Sequence, residues 1–186
     1  MSVLKAGQAD AGQGFSDSKS SSVRLLGGCL LCIDQCQGLL AVLDAADYSR
    51  KTETNSSIGA HVRHVIERFQ SFLSGLANNR IDYDARKRDS AMENNLESAR
   101  FALNTIRRRL ARLDDQICGE PMQVSETVHP GEAAVEATST AEREIMSLIS
   151  HSIHHLALVA LLARRLGYEL ESDFGKAPST VRFERS

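Results

Sequence analysis

Ser139-Thr140-Ala141-Glu142-Arg143-Glu144, running on through Ile145-Met146-Ser147-Leu148-Ile149-Ser150-His151-Ser152-Ile153-His154-His155 to Leu166-Gly167, is the stretch that decides the fold. It is free of proline and punctuated as a helix at both ends. Ser139 with Glu142 three residues on has the spacing of a capping box, which satisfies two of the backbone donors exposed at a helix start. Arg164 and Arg165 fall in the last turn, where cations suit the helix dipole, and Gly167 follows as the residue able to reverse the chain. From Leu156 to Ala163 the sequence is apolar on every side. That half must be buried all round or packed against another subunit.

The same reading extends outward in both directions. The three prolines, Pro121, Pro130 and Pro178, all lie outside the long periodic blocks. Apolar residues three and four apart predict a first helix from about Ser21 to Ala46, with Leu25, Cys29, Cys32, Cys36, Leu39, Leu40 and Leu43 on one face. A polar connection covers 47–56. Ser57 is placed to cap a second helix whose apolar face is Ile58, Val62, Val65, Ile66, Phe69 and Leu73. After Gly75 and a charged connection, a third helix is predicted from about Asp89 to Ile117, with Leu103, Ile106, Leu110, Leu113 and Ile117 as its stripe. Gly119 and Pro121 end it. Val124, Thr127 and Val128 suggest a short extended piece or hairpin before the fourth helix. The expected architecture is all-α, a four-helix bundle over residues 21–186 with an extended tail from Asp173, preceded by a disordered Gly/Ser-rich segment at 1–20.

Composition narrows the function classes. With 186 residues, 25% charged and a formal net charge of −2, the chain has no long-range attraction for polyanions. The arginines of the third helix are not interleaved with aromatics as single-strand binders require, so no nucleic-acid partner is expected. No uninterrupted apolar run approaches the ~20 residues of a membrane span, and the N-terminal stretch lacks the apolar core of a secretory signal. The expectation is a cytoplasmic chain with no membrane partner. In that compartment Cys29, Cys32 and Cys36, aligned on one helical face, read as small core residues rather than disulfides or a thiolate site, and Cys118 has no evident partner.

The histidines carry the chemistry. Of six, five fall in two clusters: His61 and His64 on the second helix, and His151, His154 and His155 on the fourth. His151 and His155 are separated by four residues, about 40° around a helix, so both project from one face as a metal-binding pair requires. A third imidazole from a facing helix would complete a three-ligand site with open positions. His61 and His64 are about 60° apart, and geometry alone does not choose between them. His154 points about 100° from His155, and His129 stands alone beside Pro130. Glu144, two turns before His151, reads as a bundle carboxylate paired with an arginine, an acceptor behind a ligating histidine, or a base acting through water.

Four segments in order then resemble a known family: Ser57-Ile58-Gly59-Ala60-His61-Val62-Arg63-His64-Val65, Ile81-Asp82-Tyr83-Asp84-Ala85-Arg86-Lys87-Arg88-Asp89, Arg143-Glu144 leading to Ser150-His151-Ser152-Ile153-His154-His155, and Asp173-Phe174-Gly175-Lys176-Ala177-Pro178-Ser179-Thr180. From about Arg24 onward the chain is similar to the DinB-like (DinB/YfiT) superfamily of metalloenzymes. The resemblance implies up-down-down-up connectivity and a divalent metal, zinc or nickel first, held by His64, His151 and His155. Imidazole ligands suit both metals. For the Tyr83–Asp89 segment the family settles no role. Ion pairs joining helices two and three are one reading, and an anion clamp by Arg86 or Arg88 is the other.

Relatives in the superfamily include transferases and isomerases that use low-molecular-weight thiols. The expected function is therefore a metal-dependent enzyme, a thiol-dependent S-transferase or a hydrolase, acting on a small molecule, with a low-molecular-weight thiol as candidate partner. The alternative is a non-catalytic, stress-related metal-binding bundle acting through oligomerisation. A homodimer through the Leu156–Ala163 stretch is expected in either case.

Overall fold

The computed structural model describes residues 13–52, 55–113, 119 and 121–186. They form a mostly helical structure with one small sheet. Four long helices carry the fold: α1 (Gln13–Val42), α3 (Ile58–Gly75), α5 (Leu96–Leu110) and α6 (Ala141–Arg165). Short helices α2 (Ala45–Ser49), α4 (Ser90–Asn94) and α7 (Pro178–Glu184) fill the connections and the tail. Each of α1 and α3 packs on both α5 and α6. Helix α1 begins ahead of the predicted Ser21; residues 1–12 of the expected N-terminal tail lie outside the described residues.

The predicted apolar stripes meet in one core. Cys29, Ile33, Cys36 and Leu40 of α1 are fully buried against Ile66, Phe69 and Phe72 of α3, Leu103 and Ile106 of α5, and Leu148, Leu156 and Val159 of α6. Burying one such Leu, Ile or Phe side chain contributes about 1.5–3 kcal/mol, and this stripe-on-stripe contact is the main source of the fold's stability. Residues 21–42 of α1 and the whole of α6 are each long and apolar enough to cross a membrane by length and composition. Their buried faces belong to this core.

Helix boundaries follow the caps. Ser57 starts α3 by accepting the Ala60 amide at 3.0 Å, as its position predicts. At the far end of α6, the Tyr168 amide returns to the Ala163 carbonyl and the Gly167 amide to the Arg164 carbonyl, both at 3.0 Å, with Gly167 at φ +91°. That pattern is a Schellman closure. Tyr168 then continues into a useful contact: its hydroxyl accepts the Asp44 amide and donates to Asp47, tying the end of α6 to α2.

Three expectations shift. The predicted third helix is two: Asn95, in extended conformation, closes α4 and caps α5 by accepting the Ser98 amide at 2.9 Å. Helix α5 closes at Leu110, and Ile117 and Cys118, placed near its predicted end, lie outside the described residues. The fourth helix is capped one residue later than its sequence suggests, by Thr140 accepting the Arg143 amide, which leaves Ser139 free for another partner. The tail is not extended throughout. Pro178, at the first helical position where its missing N–H costs nothing, starts α7.

The sheet is larger than the anticipated hairpin. Strands β2 (Pro121–Glu126) and β3 (Val135–Thr140) pair antiparallel, and β1 (Arg80–Asp82) adds to β2 in parallel, with Ile81 opposite Val124. Ile81 and Met122 turn inward and are buried. Strand β3 runs straight into α6, so the sheet fixes where α6 begins and hence the height of its histidines along the fold.

Candidate metal centre

Helices α3 and α6 pack side by side, and each contributes imidazoles to one cluster. His64 stands two turns into α3; His151 and His155 project from one face of α6, as their four-residue spacing requires. The three ring centroids form a nearly equilateral triangle with sides of 4.8 Å (His64–His151), 4.6 Å (His64–His155) and 4.7 Å (His151–His155). One ring nitrogen from each lies within 4.8 Å of the other two. In a tetrahedral zinc site such nitrogens sit roughly 3.3–3.5 Å apart, given bonds of about 2.0–2.1 Å, so small side-chain rotations bring these rings to an ion.

All three imidazoles are held neutral, the form a metal needs. Burial pushes His64 down to about 4, helped by His151 and by Arg86, Arg68 and Arg63. His151 is lowered to about 4, first by burial and then by Arg68, His154 and Arg86. His155 falls to about 3 through burial and the four neighbouring histidines. The Nε2 of His151 is buried and has no hydrogen-bond partner. An orphaned imidazole nitrogen in a triangle of neutral imidazoles is a donor set of three protein ligands that fits a divalent transition metal.

A supporting layer surrounds the triangle. His155 Nδ1 lies 3.0 Å from His61 Nδ1, and His61 Nε2 lies 3.0 Å from the Ser56 hydroxyl. With the proton on His155 Nδ1, that group donates to His61, His61 Nε2–H donates to Ser56, and the His155 Nε2 lone pair is left for an ion. Thus His64 joins the triangle while His61 supports it. His154 is exposed and only edges the His155 ring at 5.2 Å, and His129 is an exposed residue of the β2–β3 turn beside Glu132.

Below His151 lies a buried polar network around Glu144, whose partners are not those its sequence position suggests. Glu144 pairs with no arginine. It accepts the Tyr83 hydroxyl at 2.8 Å and the Ser139 hydroxyl at 2.6 Å, the latter released by the shift of the cap to Thr140. The Arg68 guanidinium lies 3.7 Å over the Tyr83 ring and pairs with Glu126 on β2. Tyr83 and Glu144 each fall in a quoted motif, but nothing in the sequence pairs them. Their pairing depends on the sheet, which carries Tyr83 from the end of β1 to the start of α6.

Among the described residues, the charged segment after β1 makes no ion pairs between helices. Asp82 accepts the Asp84 and Ala85 amides, Asp84 accepts the Thr127 amide, and Asp89 caps α4. The ion pair that joins α3 to α4 is Arg63–Glu93, at 3.0 Å. Arg86 instead reaches back and places Nη1 2.6 Å from His64 Nδ1. The thiols of Cys29, Cys32 and Cys36 take no part in the cluster; burial raises each to about 12.

The model of the DinB family matches residues 33–176, from the middle of α1 to just before α7. Over 103 residues the chain is 27% identical to FK506-binding protein 5 of Rhizopus delemar. That alignment covers 55% of this chain but 27% of the relative.

Proposed function

The chain belongs to the DinB family, and from that premise we propose that it is a divalent-metal-dependent enzyme acting on a small molecule, with His64, His151 and His155 as the ligands of its ion. The observation that carries this reading is the triangle of neutral imidazoles with a buried, unpartnered His151 Nε2. Three protein ligands leave positions open, which is the arrangement of catalytic rather than structural sites. When bound, the metal supplies Lewis acidity and positive charge that favour the deprotonated form of a thiol or water placed beside it. The chain's own residues set the stage: His61 and Ser56 orient His155. The chemistry is a thiol-dependent S-transfer or a hydrolysis, with zinc or nickel as the metal and a low-molecular-weight thiol as co-substrate in the cytoplasm. Family membership and the pairwise packing of the four long helices support up-down-down-up connectivity.

The test is elemental analysis of untagged protein, repeated for His64→Ala and His155→Ala. Near-stoichiometric metal in the wild type, lost in both variants, is the expected result. Absence of metal, with none taken up from added zinc or nickel, overturns the reading. A second reading, a non-catalytic metal-binding bundle acting through self-association, is favoured by one observation. Leu161, in the all-apolar half of α6, stays 59% exposed. A metal that no added thiol perturbs would select it.

A further inference from the structure

A polar cavity of about 570 Å³ lies along α3 beyond the histidine triangle. Glu67 and Ser71, one and two turns on from His64, form one wall, and the segment after β1 forms the other with Arg86 and Lys87. Its size is in the range of small-molecule sites. Arg86 belongs to both places: it lines the cavity, and its Nη1 donates to His64 Nδ1.

The acids on the walls are already occupied. Glu67 pairs with Arg63 at 2.8 Å and accepts the Asp89 amide; Asp82 holds two loop amides; Asp89 caps α4. Arg86 has no carboxylate partner among the described residues. Among the described residues its guanidinium donates to the imidazole of His64 rather than to an anion, and its Nε is buried with no acceptor. A guanidinium left in that state prefers an anion, which offers charge and two acceptors to its planar fork.

We propose that this cavity is an oxyanion site in which Arg86, assisted by Lys87, holds the carboxylate or phosphate end of a small molecule, and that occupation draws Arg86 off His64 Nδ1. Two consequences follow. The ligand's anionic end is fixed beside the triangle, which makes it the substrate class of the metal site proposed above, and that placement rests on that reading. Removing a cation from His64 also favours an ion there, so anion and metal strengthen each other's binding by the same factor.

The experiment begins with metal-free protein, so that it stands apart from the metal reading. Succinate, inorganic phosphate and the neutral succinamide are titrated in turn, followed by amide NMR shifts of residues 67–71 and 85–89. Saturable binding of succinate or phosphate but not succinamide is expected, the tighter of the two identifying the class. Arg86→Gln should weaken it at least tenfold, Arg86→Lys by less, and Lys87→Gln a few-fold. Zinc affinity, read against a chromophoric chelator, should rise several-fold with the anion in wild type and not in Arg86→Gln. No saturable anion binding to the wild type, or equal binding by Arg86→Gln, overturns the site whether or not the protein takes up metal. Anion binding that depends on Arg86 in a protein that takes up no metal upholds the site and removes only its link to the ion.

Discussion

His61 and His64 are chemically identical and one helical turn apart, yet only one joins the triangle. The difference is direction. His64 is aimed between His151 and His155, whereas His61 meets His155 from behind, nitrogen to nitrogen at 3.0 Å. A ligating imidazole needs its second nitrogen held by a partner, which fixes both tautomer and ring angle; losing such a partner typically costs 10–100-fold in metal affinity. His61→Ala should therefore weaken zinc binding by about that factor while far-UV circular dichroism and the melting temperature of the metal-free protein stay close to wild type. His64→Ala should remove binding altogether. Equal losses in the two variants would place His61 among the ligands, and no loss in His61→Ala would reduce its contact with His155 to packing.

At the scale of elements, the site depends on how closely the backbones approach. Gly59, in the first turn of α3, faces the crossing of α4: a Cβ there would lie 2.0 Å from the Glu93 carbonyl oxygen and 2.9 Å from the Tyr48 ring. Neither neighbour moves easily. The oxygen is main chain, and Tyr48 is fully buried with its hydroxyl on the Met92 carbonyl. Gly59→Ala should force α4 off α3 and destabilise the protein by about 2–3 kcal/mol, near the upper end for overpacking, read as a lower denaturant midpoint with an unchanged slope. A neutral result would mean that α4 shifts freely. This close approach gives a physical reason for the glycine in the Ser57-Ile58-Gly59-Ala60-His61 motif, one invisible to periodicity. The long helices were legible because their apolar spacing and caps are local signals. The pairing of β1 with β2 was not, since it joins segments some forty residues apart and only the fold brings Ile81 beside Val124. Adjacent cap candidates explain the one-residue error at α6: Ser139 and Thr140 are both good caps, and the choice fell to Thr140 because Ser139 binds the buried Glu144. The histidine spacing on α6 is readable from sequence, whereas the choice between an ion-pair and an anion-clamp role for the segment of Arg86 and Arg88 is not. That choice rests on contacts only the fold creates: Asp82, Asp84 and Asp89 each hold backbone amides rather than a cation.

For the whole molecule, the triangle is a place where folding and proton binding meet. An unfolded histidine titrates near 6.5, whereas His64 and His151 are pushed down to about 4 and His155 to about 3. Between those values the unfolded chain binds protons that the folded chain refuses, so stability rises with pH there. The contribution is fully present above about 6.5 and is lost progressively as pH falls toward 4 and then 3. Metal-free protein should accordingly show a melting temperature that is flat from pH 8 to 7 and declines below 6.5, a decline made shallower in His64→Gln/His151→Gln. An ion bound only to the folded state adds stability from the other side, about 2.7 kcal/mol at a hundred times its dissociation constant, or roughly 5–10 °C for a chain of this size. Because an ion held by the triangle would join α3 to α6, that increment should appear in global unfolding rather than in a local loop. It should vanish in His151→Ala, whose core stripes are untouched, and shrink in the wild type as protons compete for the same nitrogens at low pH. Calorimetry with and without added zinc at pH 7.5 and 5 reads all of these. A wild-type melting point that zinc leaves unmoved, or raises equally in His151→Ala, would take the ion away from the three imidazoles.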